Sequence, residues 1–228
     1  APDRVFELID RHGIACEPVR AGTLNLAHSS RGLHDLENRR DQLTERGAPV
    51  RLLSAEETRT RTGTGRFHGA LLDPRAGTIQ PLAYARGLAR AARSAGASVH
   101  ERSPVISASF ANGAWSLVTD QGSLSAGALL VATNAYHTGL ADMPTPAMPV
   151  VQFYQLATEP AGDNRAGEIL AGGEGCWDTG MVMTSLRRDG AGRIILGCMG
   201  SAAEVHGNWA RRTLRQFFPQ SAGLAVEH

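Results

Sequence analysis

The chain has 228 residues, 42% of them hydrophobic and 20% charged, enough apolar material for one large or two small packed domains, which excludes a disordered chain. Its 23 basic and 22 acidic residues nearly cancel and are scattered, so no basic stripe is offered to nucleic acid or to an anionic membrane surface. Every basic residue is arginine, which removes lysine Schiff-base chemistry and a P-loop lysine from consideration.

Residues 4–11 place Val5, Leu8 and Ile9 at helical spacing, and His12-Gly13 stops that helix. Residues 14–26 alternate loosely around Gly22 and predict one or two short strands. Dense charge with Leu33, Leu36 and Leu43 predicts an amphipathic surface helix over 30–46, ending at Gly47. A short strand is expected at 50–53. Ser54 then acts as N-cap ahead of Glu56 and Glu57, opening a helix that Thr62-Gly63-Thr64-Gly65 breaks.

Residues 67–73 predict a strand, 74–80 a turn, and Pro81 the first turn of a helix with Leu82, Ala85, Leu88, Ala89 and Ala92 on its apolar face and Gly96 as its stop. A strand over 97–101 is expected to complete a β-α-β crossover, and with it a locally parallel sheet. Between 105 and 130 the pattern is a three-stranded meander, with Asn112-Gly113 as a type I′ turn and Asp120-Gln121-Gly122 as the second turn. The apolar run at 128–132 predicts a strand buried on both faces.

Three prolines within 142–149 mark the best linker in the chain. Beyond it, strands are expected over 150–158, 181–187 and 193–197, the last two joined by a hairpin at Asp189-Gly190, and a helix over 208–218 closed by Pro219.

Cys16, Cys176 and Cys198 are odd in number and far apart, supporting neither a disulfide framework nor a cysteine zinc site, and the default setting is a reducing cytoplasm. No stretch approaches the roughly 18 apolar residues of a membrane span. The eight histidines are scattered without metal-ligand spacing. The dinucleotide fingerprint G-x-G-x-x-G is absent, since Gly63-Thr64-Gly65 and Gly190-Ala191-Gly192 read as turns. What stands out is the end of the apolar run, Val131-Ala132-Thr133-Asn134-Ala135-Tyr136, where small residues admit a ligand to the backbone and Thr133 and Asn134 offer hydrogen bonds.

Five segments in order carry a family resemblance. They are residues 69–89, with Asp73-Pro74 and Gly77-Thr78-Ile79-Gln80-Pro81 leading into the helix; Ser103-Pro104-Val105; the strand end at 131–136; Leu156-Ala157-Thr158-Glu159-Pro160; and residues 187–197, with Asp189-Gly190 and Arg193-Ile194-Ile195-Leu196-Gly197. Together they resemble FAD-dependent oxidoreductases of the D-amino acid oxidase and glycine oxidase superfamily, closest to the branch containing gamma-glutamylputrescine oxidase.

The resemblance implies an α+β fold: a mixed-sheet substrate domain with covering helices, and part of an FAD-binding domain that includes the meander. It assigns 1–75 to an insertion of the substrate region, 76–143 to the partial FAD-binding domain, and 144–228 to the substrate-domain sheet and helix. FAD is the implied cofactor, with Val105, Ala132, Thr133 and Asn134 close to it. Hydride transfer from the C–N bond of a small-molecule amine or amino acid to flavin is the implied reaction. Substrate-facing candidates are Gln152, Tyr154, Met183 and Arg187, chosen because alternate residues of a strand share a face. No catalytic residue and no metal ligand is assigned. The chain matches the middle of such an enzyme, without the glycine fingerprint before it or the closing segment after it, so it is expected to be a fragment that holds FAD poorly and does not turn over. A self-contained small-ligand module without redox chemistry is the alternative from a different class, and a related dehydrogenase is a third reading that the residues do not separate from an oxidase.

Overall fold

A computed structural model describes residues 2–134, 151–161, 167–200, 207–221 and 223–227. The chain forms two compact units, Ala1–Ala91 with Gln152–His228, and Ala92–Val151. The α+β architecture expected of the sequence is borne out.

The larger unit is built on a mixed sheet of eight strands. In chain order these are β1 (Thr23–Leu26), β2 (Arg51–Leu53), β3 (Ala70–Asp73), β7 (Phe153–Thr158), β8 (Gly175–Asp178), β9 (Ser185–Arg188), β10 (Ile194–Met199) and β11 (Val226–Glu227). Across the sheet the order is β11, β7, β10, β9, β8, β1, β3, β2. All neighbours are antiparallel except β1 and β8, whose parallel ladder pairs Leu24 with Cys176 and Asn25 with Trp177. That pair joins the N-terminal strands to the C-terminal ones in one sheet.

Leu24, Leu72, Cys176, Leu186 and Leu196 fall on one side of this sheet. There they build the main core with Ile169, Leu170, and Leu214 and Phe218 in and just after helix α5 (Gly207–Phe217). On the opposite side, α2 (Ser30–Glu45) packs on the β1, β2 and β3 end, with Leu36 on Leu71. Ser29 caps α2 by accepting from the Gly32 amide. The Ser54 hydroxyl and the Glu57 carboxylate form a reciprocal capping box at the start of α3 (Ala55–Thr62), and Gly63 ends it in the left-handed region.

A third cluster joins α1 (Pro2–His12) to α4 (Pro81–Ser94) through Phe6, Ile9, Ile14, Tyr84 and Leu88. The predicted apolar stripe of α4 is corrected here: Leu82 is 53% exposed and Ala85 is exposed. Gly87 is the reason, because its missing side chain leaves the space that Ile14 fills, and this brings the Ala83, Tyr84, Gly87 and Leu88 side inward.

The smaller unit holds the expected meander, β4 (Val105–Ala111), β5 (Ala114–Thr119) and β6 (Ser123–Ala126). Asn112 and Gly113 both have positive φ, at 54° and 79°, as the I′ turn requires. The register places Ser107, Ser109, Ser116, Ser123 and Ser125 on one face, and Ala108, Leu117 and Leu124 with the Phe110 and Trp115 ring pair on the other.

Two strand expectations fail. Residues 97–101 and 128–132 form no strand, and Leu130 is 88% exposed. A strand exists only where a neighbour completes its ladder, and neither segment has such a neighbour among the described residues. The crossover is therefore not formed. The sequence also did not mark β8, whose four residues are too few to show a period. The proline-rich linker at 142–149 lies outside the described residues.

Candidate functional site

Among the described residues of the larger unit, α2 packs on the β1, β2 and β3 end of one sheet face, and no helix among them covers the same face of β9, β10 and β7. The registers align Asn25, Trp177, Ser185, Gly197 and Gln155 in one row across five strands of that face. Asn25 is 7% exposed, and its Oδ1 has no hydrogen-bond partner among the described residues. Gly197 has no side chain where one would strike the Ser185 hydroxyl and come within 2.7 Å of the Phe153 ring, so the ring approaches the backbone there. The row thus offers an indole, a hydroxyl and an amide oxygen without a partner among the described residues, with the Phe153 ring beside Gly197.

Arg187 belongs to the same face, one step along β9 from Ser185. It is half-buried and donates from Nη1 to the Ile79 carbonyl at 3.0 Å. Tyr154 falls on the core side, paired with buried Cys198 and edge-on to the Trp209 ring at 5.8 Å. Burial first, and the neighbouring Cys198 thiol second, push the Tyr154 phenol up to about 12. Met183 is half-buried in the connection between β8 and β9. Gln152 is exposed just ahead of β7, with its carbonyl accepting from the Gly200 amide at 2.9 Å. Of the four substrate-facing candidates, the sheet therefore separates Arg187 and Tyr154 onto opposite sides. The row itself was not visible in sequence, since it is assembled from strands up to 172 positions apart, as between Asn25 and Gly197.

In the smaller unit, Val105 opens β4 and lines a cleft of about 520 Å³ with His100, Ser103, Leu117, Thr119 and Leu124. The cleft lies on the apolar face of the meander, with hydroxyls and an imidazole among its lining groups. Ala132, Thr133 and Asn134 are exposed, and Asn134 adopts φ 49°. All three cysteines are buried and free. Among the described residues, no group of His, Cys, Asp and Glu could hold a metal ion, and no helix is long and apolar enough to cross a membrane.

The family model described as FAD dependent oxidoreductase, DAO, matches residues 1–228, and the chain belongs to that family. It is 29% identical over 233 residues to a probable oxidoreductase OrdL of Rhizobium meliloti, covering 98% of this chain and 53% of that protein. It is 35% identical over 133 residues to the gamma-glutamylputrescine oxidoreductase of Escherichia coli, covering 58% of this chain and 31% of that protein. The chain thus spans about half the length of the OrdL proteins it matches.

Among solved structures, glycine oxidase from Geobacillus kaustophilus superposes with a TM-score of 0.75 at 19% identity, over 100% of this chain and 62% of that one. L-proline dehydrogenase from P. horikoshii gives 0.79 at 18% identity, over 99% and 64%. These likenesses establish the fold. The resemblance read from the five motifs is borne out.

Proposed function

We propose that the protein acts as a flavoenzyme that oxidises the C–N bond of a small amine or amino acid. The observation that carries this reading is the family match over all 228 residues. The name of the gamma-glutamylputrescine relative supports an amine as substrate, and glycine oxidase among the structural neighbours supports an amino acid. FAD, when bound, supplies the electron acceptor for the hydride leaving the C–N carbon.

The residues fit such a group at two places. The Val105 cleft, apolar on Leu117 and Leu124 and polar at Ser103 and Thr119, suits a flat heteroaromatic ring, and its volume lies within the roughly 300–1,000 Å³ of small-molecule pockets. The exposed backbone at Ala132, Thr133 and Asn134 is the second expected contact. Within the larger unit, the row of Asn25, Trp177 and Ser185 is the surface we assign to substrate, where the buried Asn25 amide oxygen has no hydrogen-bond partner among the described residues. Gln152, Met183 and Arg187 are the groups we assign toward substrate, and Tyr154 supports them from the core side. The compaction of residues 1–91 with 152–228, separately from 92–151, supports the division into a substrate region and part of an FAD-binding domain. The unpaired cysteines support a reducing, cytoplasmic setting.

The test is flavin reduction. The protein expressed from its complete reading frame is loaded with FAD, desalted and mixed anaerobically with a panel of amines and amino acids while visible absorbance is followed. Bleaching by at least one amine or amino acid is the expected result. A protein that retains no flavin, or retained flavin that no member of the panel reduces, overturns the proposal.

A further inference from the structure

A cleft of about 190 Å³ opens in the larger unit between α5 and the turn that leads into β11. Arg211, Leu214 and Arg215 line it from the helix, and Ser221, Gly223, Leu224 and Ala225 from the turn. Because α5 packs on the core side of the sheet, the cleft lies away from the Asn25 row.

Arg211 and Arg215 are exposed and stand four residues apart, so they are neighbours on one face of the helix. Arg4, Arg51, Arg59 and Arg75 each pair with a carboxylate, at 3.1 Å, 3.4 Å, 2.7 Å and 2.6 Å. The helix that carries Arg211 and Arg215 contains no Asp or Glu, and neither arginine has an ion-pair or hydrogen-bond partner among the described residues. Like charges at this spacing repel each other.

The turn does not supply the missing counter-charge. Glu159 meets it at Ala225, but its Oε1 accepts the Ala225 amide at 3.3 Å, and it forms no ion pair among the described residues. The Ser221 hydroxyl donates to the Phe218 carbonyl at 2.7 Å, and the Ser221 and Leu224 amides donate to the Phe218 and Ser221 carbonyls at 2.9 Å and 3.1 Å. The cleft is therefore left with two guanidinium groups beside an apolar lining of Leu214 and Leu224.

We propose that this cleft binds a phosphoryl group, as free phosphate or as a phosphomonoester, with its oxygens shared between the Arg211 and Arg215 guanidinium groups. A carboxylate has two oxygens and one charge, which a single arginine fork satisfies. A phosphoryl group has at least three acceptor oxygens and about two charges, which match two forks. The inference goes beyond the redox reading, and phosphate binding and flavin reduction can each fail alone.

Calorimetric titration of the protein expressed from its complete reading frame tests it, with inorganic phosphate, phenyl phosphate and acetate as probes. At least one of the two phosphates is expected to bind at millimolar or lower concentration, and acetate to bind about tenfold more weakly or worse. Phenyl phosphate binding more tightly than phosphate assigns the site to a phosphomonoester, and equal or weaker binding assigns it to free phosphate. Arg211→Gln and Arg215→Gln are each expected to weaken the phosphate about tenfold. Arg212→Gln removes the same charge from an exposed position of the same helix that does not line the cleft, and is expected to leave the affinity unchanged. Absence of binding by both phosphates, acetate binding as tightly, an affinity unchanged in Arg211→Gln and Arg215→Gln, or one lowered equally by Arg212→Gln overturns the proposal.

Discussion

Arg61 Nη1 sits 2.5 Å from Glu174 Oε1, an ion pair that ties α3 to the segment entering β8 across 113 positions of sequence. Glu174 is 2% exposed and its Oε2 has no hydrogen-bond partner among the described residues, so the carboxylate depends on this one arginine. Removing one partner of a buried pair strands a charge, whereas removing both does not. Arg61→Met is expected to cost about 2 kcal/mol, below the fully buried case because the arginine side chain is partly in water. The double variant Arg61→Met/Glu174→Gln is expected to recover part of that loss. Urea denaturation of the three proteins checks it.

Gly63 and Gly96 both end helices with positive φ, at 78° and 92°, but in different surroundings. A side chain at Gly63 would meet the Glu168 carbonyl oxygen at 2.6 Å, and backbone cannot swing aside, while nothing lies within 4 Å of one at Gly96. Gly96→Ala is expected to cost about 1 kcal/mol, the conformational penalty alone. Gly63→Ala should cost about 2–4 kcal/mol, the same penalty plus a clash. Equal losses of denaturation midpoint would contradict the assigned packing.

Gly197→Ala is expected to lift the Phe153 ring from the sheet and displace Ser185, costing about 1–3 kcal/mol. A variant with wild-type melting temperature would show that the ring does not rest there.

Tyr154 makes a prediction at high pH. Its folded-state value of about 12 lies above the ordinary 10.0, because burial and Cys198 disfavour the phenolate. The neutral phenol therefore contributes stability in full below pH 10, and that contribution is lost as pH rises from 10 toward 12. Between those limits the wild type should lose stability relative to Tyr154→Phe, and below them the difference should be constant. Parallel denaturation series across that range decide the matter.

Local signals located most elements. Ser54 with Glu57 announced α3, Asn112-Gly113 the meander turn, Asp189-Gly190 the β9–β10 hairpin, and Pro81 the start of α4, because capping and turn chemistry act within a few residues. The candidate site was far less legible. Val105 and Arg187 were named in advance and do line clefts, but the Asn25, Trp177, Ser185 and Gly197 row was missed, since β8 carries no periodic signal and its partner β1 lies about 150 positions away.

The sequence alone determined the family, the helices with their caps, and the hairpins, all of which rest on contacts within a short stretch of chain. The tertiary structure decided which faces are used. The parallel seating of β8 beside β1 creates the row, Gly87 turns α4 onto Ile14, and the segment at 97–101 and the apolar run at 128–132 form no strand. Apolar character declares what a segment can bury, but a ladder and a packed face need a partner brought from elsewhere in the chain, and that pairing is settled only in the folded molecule.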